Sequence, residues 1–150
     1  MTAANSNYFI GRVFDPKTNG PSSEPVFLDP SNLTTHCVVT GMTGSGKTGL
    51  CIGLLEEAAL QKTPAIIIDP KGDLTNLVLH FPNQQPSDFE PWIDPEVARR
   101  EGKTVDQVAE ETAARWKKGL ADWGLGQEQL QALADAADYT IYSPGSTSGV

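Results

Sequence analysis

Apolar residues recur along this chain in short blocks and in helical stripes, and their spacing sets out most of the expected fold. Tyr8-Phe-Ile-Gly-Arg-Val-Phe14 and Val26-Phe-Leu28 read as two short strands separated by a connection rich in Pro, Asn, Gly and Ser, which predicts a β-hairpin. A polar loop, Asp29 to Thr35, then leads to a strand over His36 to Thr40 whose centre is the apolar run Cys37, Val38, Val39. From about Gly46 to Gln61 a helical period places Leu50, Leu54 and Ala58 on one side, and Lys62, Thr63 and Pro64 end it. Ala65-Ile-Ile-Ile68 is short, β-branched and continuously apolar, as a parallel strand covered on both faces would be. Strand, helix and strand within about thirty residues make a βαβ unit, whose crossover should be right-handed.

Beyond it the pattern changes. Pro82 to Asp94, rich in proline and polar residues, reads as an exposed connection. Thr104 is a helix cap, followed by Val105, Val108, Thr112, Trp116, Leu120 and Trp123 at spacings of three or four, and Gly124 suits the helix end. A shorter helix is predicted from Gln127 to about Ala137, and Tyr139 to Tyr142 reads as another core strand before the polar run Ser143 to Gly149. Residues 88–137 are thus expected to be a helical insertion between two strands, with Trp116 and Trp123 packed inward rather than stacking on bases. Residues 1–34 form a strand-rich leader, with a mobile start, and 35–150 the main domain.

The strongest chemical signal sits between the predicted strand at His36 to Thr40 and the first helix. Gly41-Met-Thr-Gly44-Ser-Gly46-Lys47-Thr48 fits the phosphate-binding pattern GxxxxGK(S/T), in the strand-before, helix-after context that the pattern requires. Without Cβ atoms, Gly41, Gly44 and Gly46 let the backbone wrap a phosphate chain with its N–H groups turned inward. The helix start adds unpaired N–H groups and a positive dipole end. Lys47 supplies a mobile charge for the β and γ phosphates, and the Thr48 hydroxyl is placed to ligate Mg²⁺. Gly49 keeps the first turn open beside the α phosphate. Gly41, Thr43, Gly44, Ser45, Gly46, Lys47, Thr48 and Gly49 are the expected binding residues for ATP and Mg²⁺, Lys47 also the expected catalytic one. The fold class follows: α/β, a P-loop NTPase with a RecA-like parallel sheet carrying helices on both faces, preceded by the hairpin.

Composition narrows the rest. A chain of 150 residues with 39% hydrophobic residues has enough apolar content for one domain core. No apolar run approaches the ~20 residues of a membrane span, and Met1 to Asn7 has neither part of a secretory signal, so a cytoplasmic protein with no membrane partner is expected. Cys37 and Cys51 lack metal-type spacing and read as reduced core thiols. The net charge of -8 opposes a broad nucleic-acid surface, and the excess is uneven: residues 1–75 carry 5 basic and 7 acidic groups, 76–150 carry 6 and 12.

Asp69 ends an apolar run, as an acid that holds Mg²⁺ through water often does, yet it lies on the strand directly after the loop helix, whereas the metal-orienting acid belongs on a later one. A metal role and a structural or nucleotide-sensing role at the strand's carboxyl end both stay open. Lys71 and Asp73 extend the same polar loop, either to read a γ phosphate or neighbouring subunit or as a solvated turn. His36 and His80 have no partner at ligand spacing and read as structural; Arg99, Arg100 and Arg115 read as surface residues of the insertion. No later apolar strand ends in Asp-Glu and no finger arginine is evident, so the chain is expected to be the amino-terminal piece of a longer ATPase.

Leu33-Thr-Thr-His-Cys-Val-Val-Thr-Gly-Met-Thr-Gly-Ser-Gly-Lys-Thr48, Ile66-Ile-Ile-Asp-Pro-Lys-Gly-Asp73 and Tyr142-Ser-Pro-Gly-Ser146 together resemble the HerA/FtsK superfamily, in particular its HerA-like helicase group. The resemblance covers most of residues 8–80 and returns at 139–149. It implies a hexameric ring, a homo-oligomer that couples ATP hydrolysis to movement along double-stranded DNA with an arginine supplied across the subunit interface, and an effector protein as a further partner. It implies ATP and Mg²⁺ binding for Lys47 and Thr48, and nothing for residues 88–137. A P-loop small-molecule or nucleotide kinase, and an assembly module switched by ATP without turnover, are the alternatives.

Overall fold

A computed structural model describes residues 7–145 of the protein; the polar start, Ser146 of the third resemblance segment and the rest of the run to Gly149 lie outside the described residues. The chain divides into two units, one containing residues 7–78 and 136–145, the other Leu79–Asp135.

The first unit opens with β1 (Tyr8–Asp15) and β2 (Gly20–Leu28), paired antiparallel from Tyr8↔Leu28 to Asp15↔Gly20. Their turn is made locally: the Asp15 carboxylate accepts from the Lys17 amide at 2.8 Å and the Thr18 hydroxyl at 3.2 Å, and Asn19 takes a left-handed φ of 53°. Phe9 and Phe27 meet edge to face at 6.0 Å across the pair. The expected hairpin therefore forms, with a longer second strand than the apolar pattern marks. Pro21 and Pro25 sit in β2 because a two-stranded sheet is all edge, where a missing N–H costs no ladder bond.

Helix α1 (Lys47–Leu60) follows, with Ala59 buried near its end, where the Lys62 and Thr63 amides close onto Ala59 and Ala58 carbonyls at 2.8 and 2.9 Å. The hairpin is tied to it by one directed contact: the Glu57 carboxylate accepts from the Phe9 amide at 3.0 Å. The Lys62 ammonium donates to the Ala136 carbonyl at 2.6 Å and so fastens the returning segment beside the helix end. Burial pushes the Tyr139 phenol upward, helped by the charge of Glu56 on α1.

The expected parallel strands are where reading and structure part. Among the described residues the single sheet is β1-β2, and His36–Thr40, Ala65–Ile68 and Tyr139–Tyr142 belong to no ladder. Ile66 is 95% exposed and Val38 79%. β-branched residues favour extended backbone, but a strand exists only when a neighbour's N–H and C=O groups complete the ladder, and among the described residues no ladder forms at these segments. For the same reason Cys37 is exposed and Cys51 half-buried, not the two core thiols expected; both are unbridged.

In the second unit, the segment expected to be an exposed connection carries a short helix α2 (Pro86–Phe89), with Phe89 buried and its ring 5.1 Å from that of Phe81. Two aromatic residues among prolines were enough to nucleate packing that polar composition conceals. Helix α3 (Pro95–Arg100) is capped by Asp94, which accepts from the Glu96 amide at 2.8 Å. Helix α4 (Val105–Asp122) starts and stops as its sequence specifies. Thr104 and Gln107 exchange side-chain bonds with each other's amides at 3.2 and 2.9 Å, a capping box. At the other end Gly124, φ 75°, lets the Gly124 and Leu125 amides reach the Ala121 and Leu120 carbonyls at 2.9 and 3.0 Å, a Schellman close. Helix α5 (Gln127–Ala134) ends three residues before the expected Ala137. The core of this unit is Ala109 and Ala113 of α4 against α2, α3 and the turn at Glu90–Trp92. Trp116 and Trp123, expected to pack inward, are 54% and 43% exposed instead.

Candidate functional site

The loop from Gly41 to Gly46 is shaped by its own backbone. Gly44 and Gly46 hold φ of 81° and 88°, a left-handed geometry that costs a side-chain-bearing residue roughly 1–2 kcal/mol, and Gly46 is the cap from which α1 grows. A Cβ on Gly41 would stand 2.5 Å from the Ser45 hydroxyl and 3.3 Å from Cγ of Lys47, so a side chain here would push the Ser45 and Lys47 side chains from their places over the loop. The Ser45 amide closes the turn on the Met42 carbonyl at 3.2 Å.

The first helical bond runs from the Leu50 amide to the Gly46 carbonyl at 3.0 Å, which leaves the amides of Lys47, Thr48 and Gly49 ahead of the helical ladder. No acidic residue lies in that first turn to compete for them. At Gly49 nothing lies within 4 Å of the Cβ position, so the space beside the turn is open. Thr43, Ser45 and Thr48 are exposed around the loop, and Lys47 is half-buried. The Lys47 ammonium bends over the loop and donates to the Met42 carbonyl at 2.5 Å. Sequence reasoning had no signal for that partner, because it is a main-chain oxygen brought round by the turn.

Asp69 stands elsewhere in the same unit and is occupied with its own loop. Its carboxylate accepts from the Gly72 amide at 2.9 Å and the Leu74 amide at 2.7 Å. The Leu74 amide, and with it those of Gly72, Lys71 and Asp73, holds the carboxyl below the usual carboxylate range. Lys71 pairs with Asp73 at 2.5 Å, both side chains in water, and that bond raises the ammonium's pKa. No hydrogen bond or ion pair joins Asp69, Lys71 or Asp73 to residues 41–49 among the described residues. His36 is exposed, and Arg99 pairs with Glu96 at 2.5 Å on α3. Among the described residues, no group of three His, Cys, Asp or Glu side chains is placed to hold a metal.

The donor set fits a triphosphate with Mg²⁺. It offers main-chain N–H groups at a helix start, glycines that permit close approach, one ammonium and one hydroxyl. Residues 8–132 match a protein family described as the central domain of helicase HerA. The chain belongs to that family. HerA membership makes it an ATPase domain of the HerA/FtsK type. The match also reaches most of the second unit, where the loop motif alone says nothing. No curated protein and no solved structure matches the chain. None of the helices among the described residues is long and apolar enough to cross a membrane.

Proposed function

We propose that this chain is the ATP-binding segment of a ring-forming DNA translocase, which couples ATP hydrolysis to movement along duplex DNA in the cytoplasm. The observation that carries the reading is the glycine-shaped loop with Lys47 folded over it, at the start of α1. Gly41 to Gly46 and the amides of Lys47 to Gly49 bind the phosphate chain, and Thr43 and Ser45 flank it. On binding, the Lys47 ammonium exchanges the Met42 carbonyl for phosphate oxygens, where it stabilises the charge that develops as the bond to the γ phosphorus breaks and water adds. Thr48 is the residue that would hold Mg²⁺ through its hydroxyl, and the ion would supply neutralisation of phosphate charge.

Asp69 keeps the Asp69–Asp73 loop in shape in this reading rather than holding the metal, because its oxygens already accept two main-chain amides. The apolar segments 36–40, 65–68 and 139–142 pair as parallel strands in the assembled ATPase, with residues 88–137 inserted among them. A neighbouring subunit of a hexameric ring supplies the arginine, and γ-phosphate release moves loops that grip DNA.

Phosphate release by the protein with and without duplex DNA tests this. The expected result is ATPase activity stimulated by DNA and reduced about 100-fold or more by Lys47→Ala. ATP turnover that DNA leaves unchanged would remove the translocase, and transfer of phosphate to a nucleoside or metabolite would replace it with a kinase.

A further inference from the structure

We propose that the exposed face of the C-terminal half of α4 is a binding site for single-stranded nucleic acid. The inference stands on α4 alone and does not depend on the ATP site. At 100° per residue, Trp116, Leu120 and Trp123 continue the stripe that begins with Ala109 and Ala113. The two alanines are 1% and 5% exposed under neighbouring elements, whereas the two indoles that follow keep about half their surface in water. An apolar stripe whose second half is left open is a surface with a use.

Charge says what covers it. Between Ala113 and Trp123 the chain has Arg115, Lys117 and Lys118 against the single acid Asp122, a local reversal in a half that carries 12 acidic and 6 basic groups. None of the three cations joins an ion pair among the described residues, while Arg99 and Lys103 of the same unit are paired to Glu96 and to Glu101 and Glu111. On the helical wheel Arg115 and Lys117 flank the aromatic row, one on each side. A polyanion is attracted here and repelled by the acidic surroundings, which confines it to this strip.

The shape selects a polyanion with flat rings. Arg115, Trp116, Gly119, Leu120 and Trp123 line a shallow, open depression on this face, and at Gly119 nothing stands within 4 Å of the Cβ position. Seven residues of helix separate the two indole attachment points by about 10.5 Å. Bases stack on aromatic side chains while cations follow the phosphates. In a duplex the bases are already stacked within the helix, so a single strand is the form that reaches the indoles.

The test is fluorescence anisotropy of a labelled oligothymidylate of about 20 nucleotides with the full chain, without ATP. Binding is expected, with the Trp116→Ala/Trp123→Ala protein weaker by about 10- to 100-fold. Arg115→Ala/Lys117→Ala/Lys118→Ala should lower the slope of log affinity against log salt by about 2. Because all of these side chains are exposed, the variants should melt with the parent; should the indole variant not fold, Arg115→Glu/Lys118→Glu reads the same site without touching an aromatic contact. Absence of oligonucleotide binding, equal binding by both sets of variants, equal preference for a duplex, or full competition by poly-glutamate at equal charge would each overturn the proposal, the last in favour of an acidic protein segment. Loss of phosphate release would bear on the ATPase reading and not on this one.

Discussion

At the scale of single residues, the chemistry lies in atoms that have few alternatives. Gly44 and Gly46 hold left-handed backbone, and a side chain on Gly41 would displace those of Ser45 and Lys47. Gly41→Val is therefore expected to abolish ATP binding, measured by calorimetry, with helix content by circular dichroism unchanged, since α1 begins after the loop. Retained affinity would show that the loop tolerates a side chain and that the cradle is elsewhere. Asp69 permits a sharper measurement. Main-chain bonds from Leu74 and Gly72 favour its ionised form, so its folded pKa is depressed, and the ordering it supplies is present above the ordinary carboxylate range and lost as pH falls through the lower, folded value. The Leu74 amide resonance should titrate with a midpoint below the ordinary aspartate value of about 3.9, and Asp69→Asn should remove that titration. A midpoint at or above the ordinary value would free the carboxylate for a metal.

Elements in this protein are made by short-range bonds at their ends and by packing along their faces. Thr104 and Gln107 form the capping box of α4, so Thr104→Ala is expected to cost about 1 kcal/mol in chemical denaturation, with Thr104→Ser restoring most of it. An effect within error would mean that helix packing on α2 alone sets the start. Helix α1 carries an opposite device. Burial raises Glu56 above the ordinary carboxylate range, and its neighbour Glu57 adds repulsion. For a raised pKa the stability is full below the unfolded value and declines as pH rises through the folded one, so the protein at neutral pH carries the cost. Glu56→Gln should raise the melting temperature at pH 7 and leave it nearly unchanged at pH 4; a lower melting temperature at pH 7 would show that the carboxylate makes a favourable contact. Glu57 holds the Phe9 amide, which makes it the poorer place for this substitution.

For the whole molecule, two units share one chain, and the phosphate loop lies in only one of them. A ligand that binds only the native state stabilises by an amount set by its excess over Kd, about 2.7 kcal/mol at a hundredfold excess. Differential scanning calorimetry with ATP and Mg²⁺ should raise the transition of the loop-bearing unit by that order, and Lys47→Ala should suppress the rise. Equal shifts in both proteins would sever the link between Lys47 and the nucleotide. The acidic balance belongs to this scale too, because a net charge of -8 leaves nucleic acid only localised footholds.

How much was legible follows from the range of the forces. The phosphate loop, the Thr104 cap, the Gly124 close and the hairpin were readable because each is decided by residues within a few positions of one another, through turn geometry and bonds to nearby amides. The partner of Lys47, the burial of Phe89 and the exposure of Trp116 and Trp123 were decided only in three dimensions. The parallel strands belong with them: apolar runs at 36–40, 65–68 and 139–142 state a preference for extended backbone, whereas pairing needs a neighbouring strand that no local pattern supplies. Sequence alone determined the glycine-shaped turn at 41–46 and the helix start that follows it, since glycines and main-chain amides set such geometry locally. Tertiary structure decided which apolar surfaces are left open, since burial depends on what other elements bring to them.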